Sequence, residues 1–369
     1  MLQGKYAVPG RSSSGAKSLK SMRLDLRATE PAECGALAEF LSSTFHVSPQ
    51  VPFLNPRLMD WKYFQPRPDW RTPRSWLLKE GSRIVAHAAI WPFHFALKGT
   101  VIDSMHVIDW AASHDAPGAG VLLFREVVSR TRTQLCLGGS DQARRVFPRL
   151  GLSQIGHLEL HVRPTRPLHR FRLRRDGTLW KESARLVRNV LWARHSPPPE
   201  ARLWTAQPVE SFPESLGRLL ASPVARQATR AERSVALLNY MLDCPFSSRA
   251  FLLHARGELR GYLLTTRLSG QTRIADLWIA STAELDWTAA YAAAVRVVAT
   301  DPESCELVGA SYCPFVRRAL AGNGFRLCVT KPVWLGDPQS LFPKPLPLQI
   351  QALESDCFYL FNPDYPVFT

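Results

Sequence analysis

Residues 101–122 read VIDSMHVIDWAASHDAPGAGVL. Val101 to Ala112 is a long apolar, β-branched run and predicts a strand. Gly118, Ala119 and Gly120 then open an apolar-periodic stretch that predicts a helix to Arg130. A strand that passes through glycines directly into a helix has a chemical consequence. Glycine lets the backbone approach a bound group closely. The first turn of the helix adds unpaired N–H donors and a partial positive charge, which together suit phosphate.

The flanking sequence repeats a strand and helix rhythm. Upstream, Arg23 to Thr29 alternates as a strand. Glu30 and Pro31 open a helix whose apolar face runs through Cys34, Leu37, Ala38, Leu41 and Phe45. Trp76 to Leu78 and Ile84 to Ile90 predict a hairpin joined at Gly81-Ser82. Downstream come a short buried strand at Gln134 to Leu137, a helix at Asp141 to Leu150 and a strand at Ile155 to Val162. The same order then recurs. Phe251 to Leu253, Gly257 and Gly261-Tyr262 mirror Trp76 to Leu78, Gly81 and Ala86-His87. Asp276 to Ser281 mirrors Asp109 to Ser113 with one residue inserted. Arg144-Arg145 stands before Gly151 as Arg317-Arg318 stands before Gly324, so the offset is 318 − 145 = 173 residues. Upstream of both, Leu58, Trp61 and Tyr63 precede Pro66 as Leu238 and Tyr240 precede Pro245. A repeat of this length predicts paired domains rather than a solenoid of short units.

A chain of 369 residues, 46% hydrophobic and 21% charged, has the balance of a globular protein with two domains. No apolar run is long enough for a membrane-spanning helix. The Gly-, Ser- and Lys-rich residues 1–22 are expected to be a disordered tail. They lack the apolar centre of a secretory signal. The seven cysteines form no C-x-x-C pair, so neither a disulfide framework nor a metal site is expected, and a reducing cytoplasm fits. The net charge of +15 admits an anionic partner, either tRNA or a membrane surface. The expected organisation is a first domain at 23–163, a basic linker at 164–208, a second domain at 209–340 and an extension at 341–369. Within the linker, Leu179, Ser183, Leu186, Val187 and Val190 share one helix face, with Lys181, Arg185 and Arg188 off it. Such a helix packs between the domains, or meets a membrane or nucleic acid.

In the order of its elements and in its glycine turn, nearly the whole chain resembles the GNAT superfamily of N-acetyltransferases. The resemblance implies an α/β (α+β) protein of two tandem GNAT-like domains, each a mixed, mostly antiparallel twisted sheet flanked by helices. It implies acyl transfer from acetyl-CoA or another acyl-CoA to an amine of a small molecule or peptide. Superfamily members hold the coenzyme pyrophosphate on a turn of pattern Arg/Gln-x-x-Gly-x-Gly/Ala. Here Gly118 and Gly120 fit that pattern, and its leading Arg or Gln is Asp115, or Pro117 in a second register whose last small residue becomes Leu122. The implied coenzyme contacts are Ala111, Ala112, Ser113, Gly118, Ala119, Gly120 and Val121. A second signature, Asn-x-x-Ala-x-x-x-Tyr-x-x-x-Gly-Phe, falls on Ser140 to Leu152. It adds Ser140, Arg144 and Phe147, with Ser140 in place of the Asn and Phe147 in place of the Tyr that often protonates the leaving thiolate.

An amine must lose a proton to attack, and the strand before the turn offers His106 and Asp109, expected on opposite faces. His106 titrates near neutral pH unaided, whereas Asp109 needs burial to raise it. Asp276 at the corresponding place also allows a structural role for Asp109. His87 and Glu159 are further polar residues on predicted strands. The second copy has Thr282 to Trp287 where the glycines should be, with Glu284 and Asp286 facing any phosphate. Its groove is expected to be closed by Trp287 and that acidic pair. The resulting expectation is an acyl-CoA-dependent N-acyltransferase. Its alternatives are a Fem-like aminoacyl-tRNA-dependent transferase and a catalytically dead tandem GNAT-like scaffold.

Overall fold

The computed structural model describes residues 24–97, 100–173, 179–222, 224, 229–342, 348–360 and 367–369. The expected tail at 1–22 lies outside them. The chain divides into two compact units. Unit 1 holds the residues up to Phe93, then Asp103–Ser153 and Trp334–Leu341; unit 2 holds His94–Ile102, Gln154–Val333 and the residues from Phe342 onward. These are not the blocks 23–163 and 209–340 suggested by the repeat. Membership follows hydrogen bonds rather than chain order. The strand that closes the first copy falls almost wholly in unit 2, and the last strand of the second copy ends in unit 1.

In unit 1 the sheet order is β1 (Leu24–Ala28), β2 (Ser75–Glu80), β3 (Arg83–Leu97), β4 (Thr100–Ala112), β5 (Thr133–Leu137). β1 and β2 are antiparallel, as are β2 and β3, which turn at Gly81 with φ of 60°. β5 runs parallel to β4 after the crossover through α3 (Ala119–Val128). α1 (Cys34–Phe45) ends where His46 turns left-handed. α2 (Pro56–Tyr63) begins at Asn55, whose side chain accepts from Arg57 N–H, with Pro56 in the first turn. α4 (Asp141–Val146) is capped by Ser140.

One face of this sheet carries Trp76, Leu78, Ala86, Ala88, Ile90, Met105 and Val107 against Leu123, Phe124 and Val127 of α3. That is the two-residue alternation of a strand. In β4 it breaks after Val107, because the next residues to reach this face are Trp110 and Ala112. The cause is Asp109, whose φ of 49° inserts a left-handed residue into the strand. The parity of every later side chain is thereby reversed. The expectation that His106 and Asp109 lie on opposite faces fails for this reason.

In unit 2, β6 (Ser153–Pro164) lies antiparallel to β12 (Glu306–Ser311), with Glu159 opposite Ser311 and Pro164 opposite Glu306. The order continues β11 (Gln271–Ile279), β10 (Glu258–Leu268), β9 (Ser247–Ala255), β7 (Trp204–Val209). Only the β11/β12 pair in this run is parallel. The helices are α5 (Pro167–Leu173), α6 (Leu179–Ala193), α7 (Glu214–Leu220), α8 (Val235–Leu242), α9 (Glu284–Ala299) and α10 (Pro314–Gly322). Two-residue strands β8 (Thr229–Arg230) and β14 (Leu348–Gln349) pair in parallel, and β13 (Arg326–Gly336) completes the set. α6 departs from its expected packing. Val187 and Ser183 are exposed and Leu186 and Val190 half-buried, whereas Glu182, Asn189 and Trp192 are buried; the side chain of Leu179 lies outside the described residues.

Candidate functional site

The ladder between β4 and β5 consists of two pairs, Ser104 with Thr133 and Met105 with Gln134. The next residue of β4, His106, turns its Nδ1 toward β5, 3.0 Å from Leu135 O and 3.4 Å from Leu137 N. An imidazole thus stands where the next backbone pair would form. His106 is buried, and its ring is committed to the strands. The expectation that it serves as a general base is therefore corrected to a structural role, holding the start of the splay between the strands.

Beyond the splay, Asp109 faces α2. Its Oδ2 accepts from Lys62 Nζ at 2.6 Å and from the Tyr63 hydroxyl at 2.6 Å. Lys62 is 0% exposed; its ammonium also donates to Phe53 O at 3.2 Å and lies 4.6 Å from the Tyr63 ring centre. A buried ammonium is tolerated only with such compensation. Burial opposes the charge of Asp109 most strongly. Lys62, the two hydrogen bonds and His87 outweigh it and hold the carboxyl below its ordinary value. Asp109 is therefore not the carboxylate raised by burial that general-base chemistry required. It remains ionised, and its weak basicity suits positioning.

His87 completes the cluster. Its Nδ1 lies 2.8 Å from the Asp109 carbonyl and its Nε2 2.9 Å from Ser75 Oγ. Burial pushes the imidazole down to about 4, so the ring is neutral at pH 7. A carbonyl only accepts, so Nδ1 carries the hydrogen and Nε2 accepts from the Ser75 hydroxyl. Ser75 Oγ is in turn 2.6 Å from Thr29 Oγ1. This chain, ending on the Asp109 carbonyl, and the ion pair on its carboxylate fix the left-handed residue from both ends. A non-glycine residue at positive φ inside a strand persists only when its surroundings hold it there.

The turn after β4 is built as the sequence implied, with one change of reason. Gly118, φ 90°, is the N-cap of α3 and offers no side-chain cap. Only glycine takes that conformation without strain. Ala119 N bonds to Ala116 O, and Gly120 N and Val121 N of the first turn meet no side-chain cap among the described residues. Gly120 itself is buried. A Cβ there would stand 2.9 Å from Ala112 Cβ and 3.4 Å from Trp110 Nε1. The glycine exists so that α3 can lie against β4, and a side chain there would strike the strand rather than a ligand. Trp110 Nε1 donates to Gly120 O at 2.8 Å, fastening the two elements. Ala111 is buried and Ala112 and Ser113 half-buried at the strand end.

The second signature diverges further. Phe147 is buried, with ring centres 6.2 Å from Trp110, 6.2 Å from Phe124 and 5.5 Å from Trp334. It is a core aromatic and holds no proton. Ser140 Oγ accepts from Ala143 N at 3.2 Å, a helix cap. Arg144 is paired with Asp141 on the same helix. The structure brings Gly120, Ala112 and Phe147 together around Trp110. Ser140 and Arg144 serve their own helix.

Unit 2 also has a parallel ladder that stops short. The β11/β12 ladder stops after Gln271/Glu306, Thr272/Leu307 and Arg273/Val308. Beyond it Gln351 pairs by its carboxamide with both backbone groups of Leu277, donating to the carbonyl at 2.8 Å and accepting from the N–H at 3.1 Å. Tyr312 N bonds to Ile350 O at 3.1 Å. The expected agents of closure, Trp287 and the acidic pair, do something else. Trp287 Nε1 donates to Ser281 O at 2.9 Å, Ser281 donates to Asp286 at 2.5 Å, and Glu284 grips Arg318 at 2.6 Å. The helix start is thus neutralised from within, and the C-terminal segment does the closing. Asp276 has its own cluster, with Arg233 Nε at 2.7 Å, the Tyr262 hydroxyl at 2.6 Å and Glu354 on the same guanidinium. Glu159 is tied into a cluster of its own. It bridges Arg317 and His161 Nε2, the latter at 3.0 Å.

Lys62, Trp110 and Gln351 were not singled out for chemistry in the sequence. One signal existed for Lys62, a lysine four residues after Leu58 on the apolar face of a short helix. Gln351 carried none, since its partner is 74 residues away.

No protein-family model matches the chain, and no curated protein does. Solved structures do match. N-myristoyltransferase of Saccharomyces cerevisiae with bound myristoyl-CoA superposes with a TM-score of 0.58 at 10% identity, over 88% of this chain and 85% of that one. A GCN5-related N-acetyltransferase from Anabaena variabilis gives 0.56 at 12% identity, over 85% and 72%. One from Kribbella flavida gives 0.53 at 12%, over 86% and 72%. The chain has the GCN5-related N-acetyltransferase fold, a mixed α/β architecture whose mostly antiparallel sheet is flanked by helices. At these identities the likeness concerns the fold.

Proposed function

We propose that the chain is an acyl-CoA-dependent N-acyltransferase that uses an amine of a small molecule or peptide as acceptor, with the acyl-CoA held by unit 1. The observation that carries this reading is the pairing of an uncapped helix start at Gly118 with a parallel ladder that stops after two residue pairs. Backbone donors of the first turn, Gly120 N and Val121 N, suit a pyrophosphate. The contrast with unit 2 supports it further. There a carboxamide takes both backbone groups of Leu277, the counterpart of Trp110, and no carboxamide does so for Trp110 among the described residues. Amide groups of a coenzyme arm fit such a strand edge by the same pairing.

Acyl-CoA, when bound, supplies an activated thioester. The chain's own part is orientation. Lys62, Tyr63 and His87 are positioning residues that lock Asp109, and Asp109 sets the parity that puts Trp110 against α3. A thiolate is a good enough leaving group to depart without the tyrosine that Phe147 replaces. The proposed compartment is the cytoplasm, which suits the six described cysteines, all free thiols.

The buried Phe147 and the low Asp109 carboxyl also favour a second reading, a protein that binds acyl-CoA without turning it over. Calorimetric titration of acetyl-CoA and of a long-chain acyl-CoA, followed by thiol release with a panel of amines, separates the two. Binding with thiol release supports the enzyme, and binding alone supports the second reading. No binding of either ligand removes both.

A further inference from the structure

α6 is built inside out. Its buried side carries Glu182, 2.8 Å from the buried Arg170, and the fully buried Asn189. Its outer side carries Trp180, Ala184, Val187 and Leu191, spaced 4, 3 and 4 residues apart, so that they form one stripe along the helix. Trp180 is 69% exposed, Val187 61% and Leu191 62%. Single exposed apolar residues are ordinary, but an aligned row headed by a tryptophan marks an interaction surface. The helix is nonetheless firmly seated. Arg163 donates to Ala193 O at 3.2 Å and to His195 O at 2.9 Å at its C-terminal end, and Trp192 Nε1 donates to Gly324 O at 2.5 Å.

The charge around the stripe has one sign. Lys181, Arg185 and Arg188 border it, Arg194 follows it, and the helix's sole acid is the buried Glu182. Where the stripe ends, Leu191 also lines a hollow of about 390 Å³ together with Trp192, Arg194, His195 and Arg326. Arg326 lies 4.5 Å from the Trp192 ring centre, which holds its guanidinium at that wall. An apolar row for acyl chains, cations along one flank and a basic hollow at its end match the layers of an anionic phospholipid surface. A nucleic acid would use the cations and leave the stripe in water. A protein groove would leave the flanking charge unmatched.

We propose that α6 docks unit 2 on an anionic phospholipid bilayer, with Trp180, Val187 and Leu191 entering the headgroup and acyl boundary. The helix lies on the membrane, and no helix among the described residues is long and apolar enough to cross one. The inference is independent of the acyl-transfer reading.

The test is flotation of the full chain with vesicles of phosphatidylcholine alone and of phosphatidylcholine with phosphatidylglycerol. Binding is expected only to the anionic vesicles and should weaken as salt rises. Substituting Trp180→Asp, Val187→Asp and Leu191→Asp together should lower partitioning at least about tenfold, since an apolar side chain loses its burial and gains a charge. All three side chains are exposed, so circular dichroism should be unchanged. Lys181→Glu with Arg194→Glu, which spares the stripe, should also abolish the preference for anionic lipid. Insertion is read by brominated-lipid quenching, which should diminish in Trp180→Phe. Four results overturn the proposal. These are equal binding to both vesicles, binding indifferent to the aspartates, displacement by RNA with no Trp180 quenching, and a solution dimer that the aspartates dissociate.

Discussion

Replacing Lys62 with methionine keeps the volume of the side chain and deletes one charge from the interior of unit 1. The ammonium it removes lies 2.6 Å from Asp109 Oδ2 and is wholly shielded from water. Asp109 would keep the Tyr63 hydroxyl at 2.6 Å and lose its cation. Leaving one partner of a buried ion pair costs about 3–5 kcal/mol. The pH dependence sharpens the test. In the wild type the Asp109 carboxyl sits below its ordinary value. Its contribution is therefore present above the unfolded value, about 3.9, and is lost as pH falls through the folded one. In Lys62→Met the same carboxyl is pushed up by burial, so acid relieves the variant by neutralising it. The stability gap between the two proteins should be widest at neutral pH and narrow toward acid. Urea unfolding followed by circular dichroism at several pH values measures it. The double variant Lys62→Met with Asp109→Asn should lose less than the sum of the singles. A loss under about 1 kcal/mol, or a gap that does not change with pH, would refute the claim that this pair locks the strand.

Four further outcomes follow from the same geometry. Asp115→Arg places a cation at the leading position of the phosphate turn and should tighten acyl-CoA binding by about tenfold at low salt, measured by titration calorimetry; unchanged affinity counts against the turn as the pyrophosphate site. Gly120→Ala forces a Cβ to 2.9 Å from Ala112 Cβ and should destabilise by about 1–3 kcal/mol in thermal melts, despite alanine's better helix propensity. His87 falls from 6.5 to about 4 on folding, so protons favour the unfolded chain between those values; stability should drop by about 3 kcal/mol as pH falls from 6.5 to 4, and His87→Gln should flatten that slope. Gln351→Leu strands the Leu277 N–H and carbonyl and should cost about 2–5 kcal/mol, visible as early amide exchange in β11.

Local signals were enough for the elements. The glycine pair after an apolar strand, the proline at a helix start, and the Gly-Ser turn between β2 and β3 each act within a few residues. They are therefore written in contiguous sequence. The buried alternation of β4 was legible only as far as Val107.

Tertiary structure decided the rest, and in each case through a partner distant in the chain. Lys62 and Asp109 are 47 residues apart, so neither spacing nor composition links them. Their pairing is what fixes the bulge, reverses the strand's parity and lowers a carboxyl that burial alone would raise. His106 reads as a base in sequence because an imidazole titrates near neutral pH; only the gap between β4 and β5 reveals that it replaces a backbone pair. Gln351 looks like an ordinary polar residue until its carboxamide meets Leu277. The strand that follows Gly151 falls almost wholly in unit 2 because a strand edge accepts whichever backbone satisfies its donors and acceptors, and hydrogen bonds carry no record of chain order.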